Sequence, residues 1–193
     1  MHQFHPAIAA SLAAFALFAC NAPAPCPPVE ERFTHPVLSI SPDNDANVAA
    51  VEAYLNALVK TDTAAIRAAL APGFFANNTF TPADSSDVAA VTANWVKNGA
   101  ERSDQKVHKY FAQCVRIAEG NEYAGDWVQY WGKYSATDKA TGKPYVGPFF
   151  MDSRLKDGKL VKSYTYFDRL SVSHQLGTKP PAAPEKAKEA KKK

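Results

Sequence analysis

Phe149-Phe150-Met151-Asp152-Ser153-Arg154-Leu155-Lys156-Asp157-Gly158-Lys159-Leu160-Val161-Lys162-Ser163-Tyr164-Thr165-Tyr166-Phe167-Asp168-Arg169-Leu170 is the stretch that decides the fold. Two runs rich in aromatic and β-branched residues flank Lys156-Asp157-Gly158-Lys159. Asp-Gly between such runs signals a tight hairpin, because a type I′ turn needs φ > 0 at both central residues. The stretch predicts a long antiparallel hairpin, Pro144–Leu155 with Leu160–Val172, closing a curved sheet.

Upstream of the hairpin the pattern also favours strands. Lys106–Ile117 is rich in Val, Tyr and Phe, and Trp127–Tyr134 carries Trp127, Val128, Tyr130, Trp131 and Tyr134. Gly120-Asn121-Glu122 and the polar stretch Ser135–Lys143 supply the connections.

Before Ser103 the period is helical. Val48, Val51, Leu55, Leu58 and Val59 recur at three- and four-residue steps and predict a helix over Val48–Thr61. Asp62 or Thr63 caps a second helix, Ala64–Leu70, which Ala71-Pro72-Gly73 ends. Ser85-Ser86-Asp87 caps a third, Val88–Asn98, with Gly99 as its stop. Phe74–Phe80 reads as a short strand. Helices first, then four long antiparallel strands, argue an α+β fold with helices on one face of a meander.

The ends differ from this globule. Pro6–Ala19 is apolar apart from Ser11 and too short to span a bilayer, so residues 1–19 read as a secretory signal. Leu17-Phe18-Ala19-Cys20 resembles the lipobox of bacterial lipoproteins, which implies cleavage before Cys20 and lipidation of its thiol. Phe18 is bulky for such a site and the leader lacks Lys and Arg, so cleavage near Ala22 or Ala24 by an ordinary signal peptidase is the alternative. Residues 20–42, with six prolines, read as a tether; residues 43–174 as the domain; residues 175–193 as a Lys-, Pro- and Ala-rich disordered tail.

The formal charge of +3 resides in that tail: Thr178–Lys193 holds six Lys against two Glu, which leaves the rest of the chain at −1. A near-neutral globule gives no electrostatic footprint for nucleic acid, and the membrane is reached only through the lipid anchor. Cys26 and Cys114 are the remaining cysteines, and Cys114 reads as a small buried hydrophobe.

The order of three helices, a short strand and four long strands resembles the SnoaL-like members of the nuclear-transport-factor-2-like superfamily. The local match is the ending, Leu155-Lys156-Asp157-Gly158-Lys159-Leu160 followed by Tyr166-Phe167-Asp168. The helix with Asp62 after it, and Leu70-Ala71-Pro72 before Phe74-Phe75, fit the family's start, so that the resemblance covers residues 45–172. It implies a cone-shaped fold of about three helices in a curved sheet of four long strands plus a short one. It also implies an apolar pocket inside the cone and a homodimer through the outer sheet face. The family holds isomerases, cyclases, epoxide hydrolases and dehydratases beside binding and assembly modules, so the fold does not settle the function.

Candidate site residues follow from chemistry. Asp168, with Tyr166 and Tyr164 at two-residue steps, forms a base beside phenols suited to proton abstraction next to a carbonyl; alternatively it is a strand-end carboxylate held by a backbone N–H, Arg169 or Arg116. Asp152 is a pocket acid, or the partner of Arg154 or Lys162 in a cross-strand ion pair. His108 is a base or a surface residue, and Asn78 a carbonyl ligand at the pocket mouth or a turn residue. Trp95, Trp127, Trp131, Tyr130, Phe149 and Phe150 read first as core, some of them lining a cavity and stacking on a hydrophobic ligand. No metal-ligand spacing, phosphate loop or nucleophile elbow occurs, and no cofactor is expected. The expectation is an exported, lipid-anchored domain that binds a hydrophobic small molecule or a partner without catalysis. The alternative is an isomerase, cyclase or dehydratase using a pocket Asp on a hydrophobic carbonyl substrate.

Overall fold

The computed structural model describes residues 37–77 and 85–178. The elements run β1 (Leu38–Ile40), α1 (Asn44–Lys60), α2 (Thr63–Ala69), β2 (Leu70–Asn77), β3 (Ser85–Ser86), α3 (Val88–Glu101), β4 (Arg102–Ile117), β5 (Gly125–Asp138), β6 (Pro144–Lys156), β7 (Lys159–Phe167) and α4 (Arg169–Leu176). They form one seven-stranded sheet in the order β1-β4-β5-β6-β7-β2-β3. The fold is α+β as expected, with four helices and a mixed sheet among the described residues: β2 runs parallel to β7, and the other pairings are antiparallel.

Local chemistry sets the boundaries. Asp157 and Gly158 take φ of 51° and 71°, the I′ geometry that the hairpin demanded. Asp62 and Asp87 each accept a hydrogen bond from the backbone N–H three residues on, capping α2 and α3. Gly99 does not stop α3. It sits against α1's C-cap, where a Cβ would lie 2.4 Å from Thr61 Oγ1, so glycine is there for close approach. Gly132 has the same role in β5, because a Cβ there would meet the His108 carbonyl oxygen at 2.6 Å, beside the irregularity that leaves Tyr110 unpaired in β4.

Three boundaries depart from the sequence reading. The tether was expected to reach Pro42, but Leu38–Ile40 pairs with Val115–Ile117 and adds an edge strand. Ala71-Pro72-Gly73 does not end a helix in a loop; it lies within β2, where Gly73 at φ 78° absorbs the register shift between Leu70 and Phe75. The last strand stops at Phe167 rather than Val172, because Asp168 caps α4 through Ser171 N and Gly177 closes it in the left-handed conformation. Packing of Val172 and Leu176 against the core gives this short helix its reason to fold.

The core lies between α1 and one sheet face. Val51, Tyr54, Leu55 and Leu58 of α1 pack in one buried cluster with Val128, Tyr130, Tyr134, Phe149, Met151, Leu155 and Leu160. Cys114 is free and fully buried there, and the Asn47 amide donates to its sulfur at 3.5 Å.

Candidate functional site

The strand registers place residues on the opposite, outer face of the sheet in three rows across β4, β5, β6 and β7. The first is Phe111, Trp131, Phe150 and Tyr166; the second Gln113, Gln129, Asp152 and Tyr164; the third Val115, Trp127, Arg154 and Lys162. Alternation along a strand dictates this, since residues two apart share a face.

The first row is a ridge of four rings, with successive centroids 5.5, 4.9 and 6.0 Å apart. Its ends face solvent, with Phe111 52% and Tyr166 53% exposed. A hollow lies on each side. One of about 420 Å³ runs along Pro148, Phe149, Phe167 and Asp168. The other, of about 500 Å³, spans the second and third rows and is walled by Tyr123, Trp127, Phe150, Tyr164 and Tyr166, with Asp152, Gln113 and Gln129 among them.

Asp152 is the unusual group in this larger hollow. It is partly buried, and its Oδ1 is shut off from solvent with no hydrogen-bond partner. The expected ion pair is absent: neither Arg154 nor Lys162 bridges Asp152. The Lys162 ammonium lies 5.0 Å from the Tyr164 ring centroid instead, and the Arg154 guanidinium lies against Gly125. Burial without a compensating charge pushes the Asp152 carboxyl up to about 6. Around it, Trp127 stacks on Tyr164 at 6.2 Å and 11°, and its indole N–H donates to the Tyr123 carbonyl at 2.6 Å. The Gln113 amide donates to Gln129 Oε1 at 2.9 Å, so that these two residues fix each other beside the carboxylate.

The inner face carries the opposite kind of carboxylate. Asp126 receives two hydrogen bonds of 2.7 Å from Arg116, whose guanidinium also reaches Asp43. Arg116 first, and then Asn47 and Ser41, hold Asp126 below the usual carboxylate range, so it stays ionised and cannot carry a proton at neutral pH. Burial raises the Tyr54 and Tyr145 phenols.

The structure brings together Asp152, Tyr164, Tyr166, Phe150 and Trp131 from the candidate set, but on the outer face rather than inside the cone. Phe150 and Trp131, read first as core, are therefore corrected to ridge residues; Tyr130 and Phe149, their chain neighbours, are the ones that point into the core. Asp168 lines the smaller hollow with Tyr166, but as a helix cap. The chain turns into α4 there, and the exposed carboxylate spends an oxygen on Ser171 N at 2.9 Å. His108 is an exposed residue of β4, and Trp95 packs edge-on against Tyr134 from α3, 6.1 Å away. Asn78 and Cys20 lie outside the described residues. Sequence reasoning missed Gln113, Gln129 and Tyr123; a pair of Gln on adjacent strands among aromatics is the signal that marked them.

No protein-family model matches the chain, and no curated protein matches it. Solved structures do. A hypothetical protein with a ketosteroid isomerase-like fold from Catenulispora acidiphila, in complex with trimethylamine, is similar at 18% identity and a TM-score of 0.56, over 70% of this chain and 97% of that one. An LEH-like epoxide hydrolase of M. tuberculosis is similar at 18% identity and 0.54, over 70% and 92%. An NTF2-like protein from Burkholderia thailandensis is similar at 20% identity and 0.52, over 67% and 96%. At such identities it is the fold that is shared: this chain has the α+β fold of the ketosteroid isomerase-like and NTF2-like structures.

Proposed function

We propose that this chain is an exported small-ligand-binding domain, anchored by a lipid on Cys20, that works through the outer face of its sheet. The observation that carries the reading is the hollow over Asp152. A partly buried carboxyl with an orphan oxygen, ringed by aromatic side chains, is the combination that marks ligand sites rather than structure, because left empty it costs stability. Its volume of about 500 Å³ lies within the range of small-molecule pockets. Catalysis inside the cone is disfavoured by the inner face, where α1 packs directly on the sheet and Asp126 is locked to Arg116.

A thermal-shift screen of the full chain with neutral, cationic and anionic aromatic compounds tests this reading. Hits that disappear in Tyr166→Ser or Asp152→Asn, and persist in His108→Ala, support it. Hits indifferent to the first two substitutions refute it.

The ridge favours a second reading, a homodimer. Four rings in contact, open to solvent at both ends, form an apolar strip flanked by two hollows, and such a strip is a surface that a second copy would cover. Sedimentation of the full chain separates the readings: a dimer that Phe111→Glu converts to monomer supports pairing through the ridge, and a monomer at 100-fold dilution series throughout removes it.

A further inference from the structure

We infer that the hollow over Asp152 is a binding site for a small organic cation, an alkylammonium group whose N–H donors meet the carboxylate while its carbon chain lies on the rings of Trp127, Tyr164, Phe150 and Tyr166. This rests on the ligand-binding reading above and names the class of ligand.

Three observations select the cation. First, the carboxylate needs a donor. Asp152 Oδ1 is buried and unpartnered, and an unpaired buried acceptor forfeits its hydration with nothing in return. An anionic ligand would meet this carboxylate with like charge, and a purely apolar one would leave the oxygen orphaned.

Second, the walls suit a cation. The faces of Trp and Tyr rings carry negative potential, so a cation above them gains attraction that a neutral body of the same shape does not. This face already shows the effect, since the Lys162 ammonium settles 5.0 Å over the Tyr164 ring instead of pairing with Asp152.

Third, the chain's own charges leave the place open. The groups facing Asp152 are Arg154 on β6, Lys162, Tyr164 and Tyr166 on β7, Gln129 and Trp127 on β5, Gln113 on β4, and Tyr123 before β5. Of these only Arg154 and Lys162 are cations, and neither bridges Asp152: the Arg154 guanidinium lies beside Gly125 and the Lys162 ammonium over the Tyr164 ring. The volume of about 500 Å³ then admits a molecule well beyond a bare metal ion or ammonium.

Proton linkage gives a signature that shape alone does not. With the carboxyl pushed up to about 6, cation affinity is full above that pH and falls as the carboxyl takes its proton. Between pH 7 and pH 5 the loss is about ten-fold.

The test is calorimetric titration of the full chain with phenethylammonium, with phenethyl alcohol and phenylacetate as neutral and anionic comparators. We expect the ammonium to bind at least about ten-fold more tightly than either comparator at pH 7.5. Asp152→Asn should weaken the ammonium by a similar factor and leave the alcohol unchanged. Lys162→Met, which removes a neighbouring positive charge, should strengthen it. Equal binding of ammonium and alcohol, or an Asp152→Asn variant that binds ammonium as well as the parent, overturns the cation and leaves the ligand-binding reading standing. No binding of any probe to chain with an unchanged circular dichroism spectrum overturns both.

Discussion

Replacing Asp152 by Asn should make the protein more stable at pH 7.5 and leave it nearly unchanged at pH 4. The carboxyl titrates at about 6 in the folded chain against 3.8 as its ordinary value. Because the folded value is the raised one, the carboxyl's contribution is fully present below 3.8, is lost as pH rises through 6, and stays lost above. A gap of this size corresponds to at most about 3 kcal/mol. Asp152 is only partly buried, and solvent screening brings the figure to about 1–2 kcal/mol. For a domain of this length that is a rise in Tm of about 3–8 °C. Asn keeps the shape and removes the ionisation, so the difference isolates the charge. Thermal denaturation followed by circular dichroism at pH 4, 6 and 7.5 measures it, and the other carboxylates cancel between parent and variant. A Tm difference that is flat across this range, or an Asn variant less stable at pH 7.5, would refute the picture of an unpaired, desolvated carboxylate.

Two further outcomes follow from the ends of the domain. Asp168→Ala removes the cap of α4 and should cost about 1 kcal/mol in urea denaturation, with Asp168→Asn recovering most of it; equal stability of all three chains would mean that the cap is idle. Expression in a lipoprotein-processing bacterium with radiolabelled palmitate should label the parent chain and not Cys20→Ala, whereas cleavage of the parent without any label would rule out the anchor.

The hairpin was legible because its turn is dictated locally: Asp157 and Gly158 must take positive φ whatever surrounds them. The capped helices were legible for the same reason, with Asp62 and Asp87 stating their starts. The end of β7 was not, although Asp168 and Gly177 bracket α4 as cap and C′ residue, because eight residues carry too little apolar periodicity to outweigh the aromatic run before them. For the site, a period of two says which residues share a face but not which face is covered. Phe149-Phe150 and Tyr130-Trp131 each put one ring on either side, so composition could not tell core from ridge. Tyr164 and Tyr166 share a face as their spacing implies, but it is the outer one, and the carboxylate paired across from Tyr164 is Asp152. Two buried serines, Ser153 and Ser163, face the core where the outer rings had been expected, a choice visible only once the helices are docked.

The parallel pairing of β2 with β7 has a consequence for how the chain reaches its native state. Ala76 lies beside Ser163, and Phe75 beside Lys162, although 87 positions separate the members of each pair along the chain. Closing so large a loop is entropically expensive, and the contacts that repay it come last. Until residues 159–167 have been synthesised, β2 has only the two-residue β3 beside it, and its long edge is unpaired. A nascent chain short of Phe167 is therefore not a smaller version of this protein but an open sheet edge, a template for self-association until its final strand arrives.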